Sequence, residues 1–100
     1  METGSYLLTG DAEGAQTFYT TAHGSGRLMG RRQAKKQFRG SDLRRRLLEN
    51  GVYIKAVSDS ALAEEAGAAY KDVDAVVEAA ENAGISRRVV RLVPIGNIKG

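Results

Sequence analysis

Residues 72–98 constrain the fold of this chain more than any other stretch, because a helical pattern is followed there by an extended one. Four apolar residues stand at positions i, i+3, i+4 and i+7: Val73, Val76, Val77 and Ala80. That spacing places them on one face of a helix, which we predict over residues 72–83, with Gly84 as its stop. Residues 88–98 are apolar and rich in β-branched side chains, so we expect extended chain there.

The rest of the chain also mixes predicted strands with predicted helices. We predict strands over residues 5–9 and 52–57, an extended segment over 18–22, a loop or short helix over 11–16, and helices over 27–37, 41–50 and 60–66. In the helix over 41–50, Ser41 is the expected N-cap and the inward side chains are Leu43, Leu47 and Leu48. These elements predict an α+β fold with a small mixed sheet and several helices. We expect one domain over residues 1–100 without an internal boundary.

Composition excludes several classes of site. The chain has no cysteine, which excludes disulfides and thiolate metal sites. It has a single histidine, so a histidine-rich metal site is excluded too. No apolar run approaches the length of about 20 residues that a membrane span needs, and the N-terminus lacks the pattern of a signal peptide. We therefore expect a soluble, cytoplasmic protein with no membrane partner.

The charge is unevenly distributed. The net charge is only +3, yet residues 27–46 hold nine of the fifteen Lys and Arg residues and one of the twelve Asp and Glu residues. A local excess of this size favours a polyanionic partner, most often nucleic acid.

The segment Thr20–Arg27 carries the chain's one histidine next to a Gly-Ser-Gly sequence. If a helix begins near residue 26 or 27, its free N–H groups point back at this turn and favour a phosphate. A neutral imidazole nitrogen of His23 could then attack phosphorus or move a proton, while Arg27 neutralises charge on the phosphate oxygens. The alternative is a loop histidine that hydrogen-bonds only to backbone.

The basic stretch forms a second candidate site. On a helix, Arg27, Arg31 and Lys35 share one face, and Arg32 and Lys36 share the next. Such a surface can follow phosphates without reading bases. The alternative is a solvated helix face, although such faces normally mix charges of both signs.

Two further residues have open interpretations. Tyr70 precedes the helix over 72–83 and can stack on a base, or it can be packed in the core. The terminal Lys99 has no role that composition alone reveals, and a frayed tail is the default.

Six segments of the chain also occur, in order and with similar spacing, in a known family. They are Ser5-Tyr6-Leu7-Leu8-Thr9-Gly10, His23-Gly24-Ser25-Gly26-Arg27, Glu64-Glu65-Ala66, Ala69-Tyr70-Lys71-Asp72-Val73-Asp74, Ala83-Gly84-Ile85-Ser86 and Pro94-Ile95-Gly96-Asn97-Ile98-Lys99-Gly100. Together they resemble the C-terminal segment of the RtcB family of RNA ligases, of the archaeal and eukaryotic type. The resemblance covers the chain nearly end to end.

The resemblance implies an activity. The family joins RNA ends that carry a 3′-phosphate or a 2′,3′-cyclic phosphate to 5′-hydroxyl ends, in tRNA splicing and RNA repair, with GTP and manganese (Mn2+) as cofactors. By the same resemblance His23 is the catalytic residue, which attacks the α-phosphorus of GTP and carries GMP. The guanylate then passes to the RNA 3′-phosphate, the 5′-hydroxyl attacks, and GMP leaves.

The resemblance also implies binding residues. Those near the GTP or GMP are Met1, Ser5, His23, Gly24, Ser25, Gly26, Tyr70 and Lys99. Of these, Tyr70 stacks near the guanine and Lys99 contacts it. The residues expected to hold RNA phosphate are Arg27, Arg31, Arg32 and Lys35.

The chain departs from the family pattern in ways that affect these expectations. The family protein is several times longer, and its manganese ligands lie in an N-terminal part without an equivalent here. Glu2 stands where the family usually has glycine, and a carboxylate there is expected to repel phosphate. Ser25, Gly30 and Gly67 replace a frequent alanine, serine and proline.

We therefore expect a C-terminal fragment that does not ligate RNA alone and needs a complementing N-terminal part. The alternatives are an RNA- or phosphate-binding module without chemistry, or a degenerate remnant whose histidine is only structural.

Overall fold

The computed structural model describes residues 1–100 and contains four strands and four helices, which confirms the α+β class. The strands are β1 (Ser5–Gly10), β2 (Tyr53–Ala56), β3 (Ser86–Leu92) and β4 (Gly96–Lys99). The helices are α1 (Arg31–Gln37), α2 (Gly40–Glu49), α3 (Asp59–Glu64) and α4 (Val73–Asn82). None of these helices has the length and apolar character that a bilayer crossing requires.

The residues group into two compact units. The first consists of Met1–Thr3, Arg27–Tyr70 and Pro94–Gly100, and the second of Gly4–Gly26 and Lys71–Val93. Strands β2 and β4 pair in parallel within the first unit, and β1 and β3 pair antiparallel within the second. The strands therefore form two sheets of two strands each. That residues 1–100 make a single undivided domain stays a prediction.

The core of the first unit lies between α2, β2 and α3. Its buried apolar side chains are Leu43, Leu47, Val52, Ile54, Leu62 and Ala66. Leu43 and Leu47 are one helical turn apart, and both face inward as predicted. The prediction for Leu48 is wrong, since this side chain is 51% exposed. It lies about 100° further round the helix than Leu47, which turns it toward solvent.

The start of α2 is set by packing and not by a capping side chain. The helix begins at Gly40 with Arg39 at the N-cap position and no side-chain cap, so the prediction of Ser41 as N-cap is wrong. Gly40 is buried, and a Cβ atom there would overlap the backbone of Asp59, the first residue of α3. Contact between the two helices therefore determines where α2 begins.

Helix α1 is shorter than predicted. It begins at Arg31, with Gly30 at the N-cap position, so the prediction of helix from Arg27 onward is wrong. Arg27 forms an isolated antiparallel bridge with Tyr70, and the backbone N–H of Leu28 donates to the Ala69 carbonyl at 2.9 Å. The bridge at residue 27 and the hydrogen bond of residue 28 join this segment to residues 69–70, so it does not form helix.

The C-terminal segment is ordered. Strand β4 pairs with β2, with Lys99 opposite Ala56, and the Val57 N–H donates to the Lys99 carbonyl at 3.1 Å. The frayed tail that is the default for such a segment is therefore wrong for residues 96–99.

In the second unit, α4 packs on the antiparallel pair of β1 and β3. Asp72 caps α4 by accepting a hydrogen bond from the Asp74 N–H, which agrees with the predicted helix start. The hydroxyl of Tyr6 on β1 donates to Asp74 at 2.7 Å, and Arg88 on β3 pairs with Glu81. These polar contacts join the helix to both strands.

Residues 18–22 do not form the predicted extended segment. A single turn of 3-10 helix spans Gly14–Thr17. Phe18 and Tyr19 then adopt left-handed backbone angles, with φ of 54° and 59°. The Tyr19 N–H donates to the Gly14 carbonyl at 2.8 Å, so the chain closes a tight turn where Thr and aromatic residues favoured extended chain.

Candidate functional site

The segment around His23 is an irregular loop of the second unit. His23 and Gly24 form a bend, and both are exposed. The imidazole takes part in none of the hydrogen bonds or ion pairs of the structure, which leaves both ring nitrogens open to a ligand. The alternative of a loop histidine bonded to backbone therefore has no support in the geometry.

Two contacts anchor this loop within its unit. The hydroxyls of Thr21 and Ser86 lie 3.1 Å apart, and Ser86 is fully buried. At the other end, the Lys71 N–H donates to the Gly26 carbonyl at 2.9 Å, and Gly26 has a φ of 77° that favours glycine. His23 is thus at the exposed middle of a loop that is fixed at both ends.

The predicted helix N-terminus beside this loop does not exist. The nearest helix in the chain, α1, begins four residues after Arg27 and belongs to the first unit. The prediction that helix N–H groups point back at the glycine turn is therefore wrong. Any anion at His23 must be held by other groups.

In the first unit, Arg27 lies over Tyr70. Its guanidinium carbon is 4.5 Å from the centre of the ring, which is the geometry of a cation–π contact. The guanidinium donates to the Tyr70 hydroxyl at 2.7 Å, to the Met29 carbonyl at 3.0 Å and to the Glu64 carbonyl at 2.6 Å. Three of its five N–H groups are therefore occupied, and two remain for another partner.

Glu65 links Tyr70 to Lys99. The Tyr70 hydroxyl donates to the Glu65 carboxylate at 2.7 Å, and the Lys99 ammonium lies 3.6 Å from the same oxygen. Strand β4 places Lys99 there, and the 3-10 turn at Gly67–Ala69 places Tyr70. Two residues predicted to contact the nucleotide, 29 positions apart, are thus brought together.

Contacts within the cluster of Arg27, Glu65, Tyr70 and Lys99 change the pKa values of Tyr70 and Glu65. Burial and the hydrogen bond to Glu65 raise the pKa of Tyr70, so the hydroxyl remains a donor at neutral pH. Burial favours protonation of Glu65, but the Tyr70 hydroxyl, Lys99 and Arg27 outweigh it and hold the pKa of this carboxyl below its ordinary value. The cluster places a partly buried aromatic ring beside a carboxylate and two cations.

Glu65 is the member that sequence reasoning missed. Its carboxylate is the acceptor on which Tyr70 and Lys99 converge. The available signal was the acidic pair Glu64-Glu65 at the end of a short apolar helix, opposite a basic stretch in which acids are nearly absent.

Glu2 does not carry an unbalanced charge. One carboxylate oxygen accepts two hydrogen bonds from Arg46, at 2.6 and 2.9 Å, and the other accepts the Gly67 N–H at 2.5 Å. Glu2 and Gly67, two departures from the family pattern, are therefore in direct contact. The proline that is frequent at position 67 has no N–H to donate to this carboxylate. Repulsion of phosphate by this carboxylate is weakened by the guanidinium that pairs with it.

Six of the nine cations in the basic stretch form ion pairs. Glu64 on α3 pairs with Arg31 at 3.5 Å and with Lys35 at 2.5 Å. Arg27 does not share their helix face as predicted, because it lies outside α1. Arg32, one of the predicted phosphate ligands, is exposed and forms no ion pair.

No group of three or more His, Cys, Asp or Glu side chains is arranged to hold a metal ion. The residues present therefore do not fit a manganese site.

Comparison with known proteins decides the family. The family model described as tRNA-splicing ligase RtcB matches residues 1–100. The chain belongs to the RtcB family. Its relatives include proteins named tRNA-splicing ligase RtcB from Methanopyrus kandleri, 52% identical over 101 residues, and from Pyrococcus horikoshii, 48% identical over 102 residues. An RNA-splicing ligase RtcB from Mycobacterium tuberculosis is 44% identical over 100 residues.

Each match covers the whole of this chain but a minor share of the relative. The shares are 10% for the Methanopyrus protein, 12% for the Pyrococcus protein and 23% for the Mycobacterium protein. The chain thus spans between about a tenth and a quarter of the length of these RtcB relatives.

The residues that RtcB membership implicates fall in both units. Ser5, which lies on β1 opposite Leu92, and residues 23–26 belong to the second unit. The others belong to the first unit: Met1, Arg27, Arg31, Arg32, Lys35, Tyr70 and Lys99. Met1 packs against the core cluster, and its carbonyl accepts a long 3.5 Å hydrogen bond from Asn97. The roles of all these residues stay predictions.

Proposed function

We propose that this chain carries the histidine that accepts a guanylate in a GTP-dependent RNA ligase. The ligase joins RNA 3′-phosphate or 2′,3′-cyclic phosphate ends to 5′-hydroxyl ends. The observation that carries the proposal is the match to the RtcB family along all 100 residues. The exposed imidazole of His23, free of protein partners and held in a loop fixed at both ends, supports it.

In the proposed reaction, a ring nitrogen of His23 attacks the α-phosphorus of GTP. A nitrogen–phosphorus bond forms and pyrophosphate leaves. An oxygen of the RNA 3′-phosphate then takes the guanylate from the histidine. Finally the 5′-hydroxyl attacks the activated 3′-phosphate, and GMP leaves.

The nucleotide-binding roles are those that the family resemblance implies, and the chemistry of the residues supports them. Gly24 has open space where a Cβ would stand, so a phosphate can approach the backbone closely there. Tyr70 offers a partly buried ring for stacking on guanine, and Lys99 beside it offers a donor to the base. The other residues proposed to contact GTP or GMP are Met1, Ser5, Ser25 and Gly26.

Manganese is the metal that we propose for the reaction, where it would stabilise charge on the phosphates. The described residues do not fit a manganese site, so we place its ligands in polypeptide beyond these 100 residues. That polypeptide is the proposed complementing partner of this chain.

Labelling tests the proposal. The chain is mixed with α-phosphate-labelled GTP and manganese, alone and with an RtcB relative that lacks the matching segment. We expect acid-labile label on this chain in the complemented mixture, and none on a His23→Ala variant. A Ser41→Ala variant, which changes one exposed side chain outside the proposed GTP and GMP site, is the matched control and should still be labelled.

The other outcomes separate the alternatives. Label that persists on the His23→Ala variant would contradict the site assignment. Salt-sensitive RNA binding without any labelling would favour a binding module. A chain that neither binds RNA nor takes label would be a structural remnant.

A further inference from the structure

The cations of the basic stretch fall into two groups according to their partners. Six of them form ion pairs: Arg27, Arg31, Lys35, Arg44, Arg45 and Arg46. Three others form no ion pair and no side-chain hydrogen bond in the structure, and all three are exposed: Arg32, Lys36 and Arg39. We call these three residues the unpaired row.

The unpaired row has a defined place on the fold. Ala34, between its first two members, is completely buried. Residues two positions to either side of Ala34 lie on the opposite side of the helix, so Arg32 and Lys36 occupy the outward face of α1. They are one turn apart, with roughly 5–6 Å between Cβ atoms. Arg39 follows in extended backbone at the N-cap position of α2.

The row leads into a concave surface. An open cleft of about 260 Å³ lies at its Arg39 end. The cleft is bounded by Gln37, Phe38, Arg39, Asp42, Leu43, Arg46 and Ala66. Its single acid, Asp42, pairs with Arg45 at 3.5 Å, and Arg46 pairs with Glu2. Arg39 is therefore the uncompensated charge at this rim.

Three exposed cations without partners repel one another, and folding gains nothing from placing them together. An external polyanion would remove that repulsion. Two cations on one face of α1, a third on the extended segment that follows and a cleft beside it suit a flexible chain of phosphates better than a single anion.

We infer that the unpaired row, Arg32, Lys36 and Arg39, is the principal contact to the RNA phosphate backbone. The inference rests on the proposed RNA ligase function and deepens it. It shifts the main phosphate contacts away from Arg27, Arg31 and Lys35, which pair with glutamates, to a row of which Arg39 was not predicted from the sequence. The row contacts phosphates and reads no bases, so it accepts RNA of any sequence.

Salt-dependent RNA binding tests the inference. Binding of a fluorescently labelled single-stranded RNA oligonucleotide is measured by anisotropy over a series of KCl concentrations. The variant Arg32→Gln, Lys36→Gln, Arg39→Gln should flatten the dependence of log K on log salt by about 0.7 per lost contact, or about 2 in all. At 0.1 M salt this corresponds to roughly a hundredfold weaker binding.

The matched control removes the same net charge elsewhere. Lys55→Gln, Lys71→Gln, Arg87→Gln changes three exposed cations outside the row and its cleft, and its salt slope should stay close to that of the unaltered chain. The single variant Lys36→Gln, which changes one exposed side chain, should flatten the slope by about 0.7. It keeps the test valid if the triple variant folds poorly, which circular dichroism would reveal.

Equal losses in the row variant and the control would overturn the inference, since only net charge would then matter. An unchanged slope in the Lys36→Gln variant would overturn it too, as would a row that binds polyglutamate but not RNA. These measurements contain no GTP or manganese. Failure to label His23 would therefore contradict the proposed function and leave the RNA-binding result standing.

Discussion

Single residues in the cluster around Tyr70 show how polar groups of different segments depend on one another. The Tyr70 hydroxyl accepts a hydrogen bond from Arg27 and donates one to Glu65. Both partners are charged, and bonds of this kind contribute more to stability than neutral ones. The same contacts fix the ring that we propose as a guanine platform. Substitutions in the cluster should therefore lower the free energy of unfolding.

We predict that Tyr70→Phe lowers the free energy of unfolding by about 1–2 kcal/mol. Phenylalanine keeps the ring and its contact with Arg27, so the loss reports the hydroxyl alone. Urea denaturation measures it. Tyr53→Phe is the control, because Tyr53 is 64% exposed and its hydroxyl has no hydrogen bond in the structure. Equal effects of the two substitutions would contradict the assigned network.

Glu65 predicts a pH dependence. Its pKa lies below the ordinary value in the folded chain, because the Tyr70 hydroxyl, Lys99 and Arg27 outweigh the opposing effect of burial. Folding therefore favours the ionised carboxylate. The resulting stability is present above the unfolded-state pKa and is lost as the pH falls through the lower folded-state pKa.

We expect the difference in unfolding free energy between the chain and its Glu65→Gln variant to be largest near neutral pH. It should shrink once the pH falls below about 4. Denaturation curves at a series of pH values measure this difference. A difference that is constant with pH would show that the carboxylate is not stabilised in its ionised form.

At the scale of elements, the boundaries of the helices depend on what they pack against. Helix α2 starts where Gly40 meets the backbone of Asp59, and α1 starts only after residues 27 and 28 have bonded to the segment at 69–70. Neither boundary carries a capping side chain. A substitution that changes the contact should therefore do more harm than one that changes local helix preference.

Gly40→Ala provides that comparison. A Cβ at this position would overlap the Asp59 backbone, which cannot move as a flexible side chain can. We expect a loss of stability of at least about 2–3 kcal/mol, measured by thermal or urea unfolding. Gly30→Ala at the start of α1 has open space around its Cβ and an ordinary φ of −69°, so it should change stability by less than about 1 kcal/mol. Comparable losses in the two variants would show that α2 and α3 do not approach as closely as described.

At the scale of the whole molecule, the chain has parts of the proposed chemistry without the metal that completes it. His23 and the basic residues are present, whereas no acidic or histidine cluster can hold manganese. The RtcB relatives named above are at least about four times longer than the matched segment. We assign the proposed metal site to that additional polypeptide.

We therefore predict that the chain by itself does not join RNA ends. A mixture of 3′-phosphate and 5′-hydroxyl RNA with GTP and manganese should give no ligated product with this chain alone. Adding a relative that lacks the matching segment should give product, and the His23→Ala variant should abolish it. Manganese alone should not raise the melting temperature of the chain, because we place the proposed metal ligands outside it. Ligation by the unassisted chain would contradict the assignment.

The sequence by itself determined the features that depend on neighbours along the chain. The spacing of Val73, Val76 and Val77 predicted α4 almost to the residue, and β1, β2 and α3 lie within a few residues of their predicted bounds. Six ordered segments also predicted the RtcB family, which the match along the whole chain confirms. Local hydrophobic period and motif order are properties of the covalent chain, so they can be read without coordinates.

Only the tertiary structure decided which distant residues meet. The pairing of β4 with β2 brings Lys99 to Glu65, and the bridge between Arg27 and Tyr70 removes Arg27 from the helix that its neighbours form. Glu64 and Glu65 likewise form ion pairs with Arg27, Arg31 and Lys35 of the basic stretch. Arg32, Lys36 and Arg39 have no ion-pair partner. Such contacts join residues separated by tens of positions, and their free energy depends on distance and burial in space, which no local pattern of residues records.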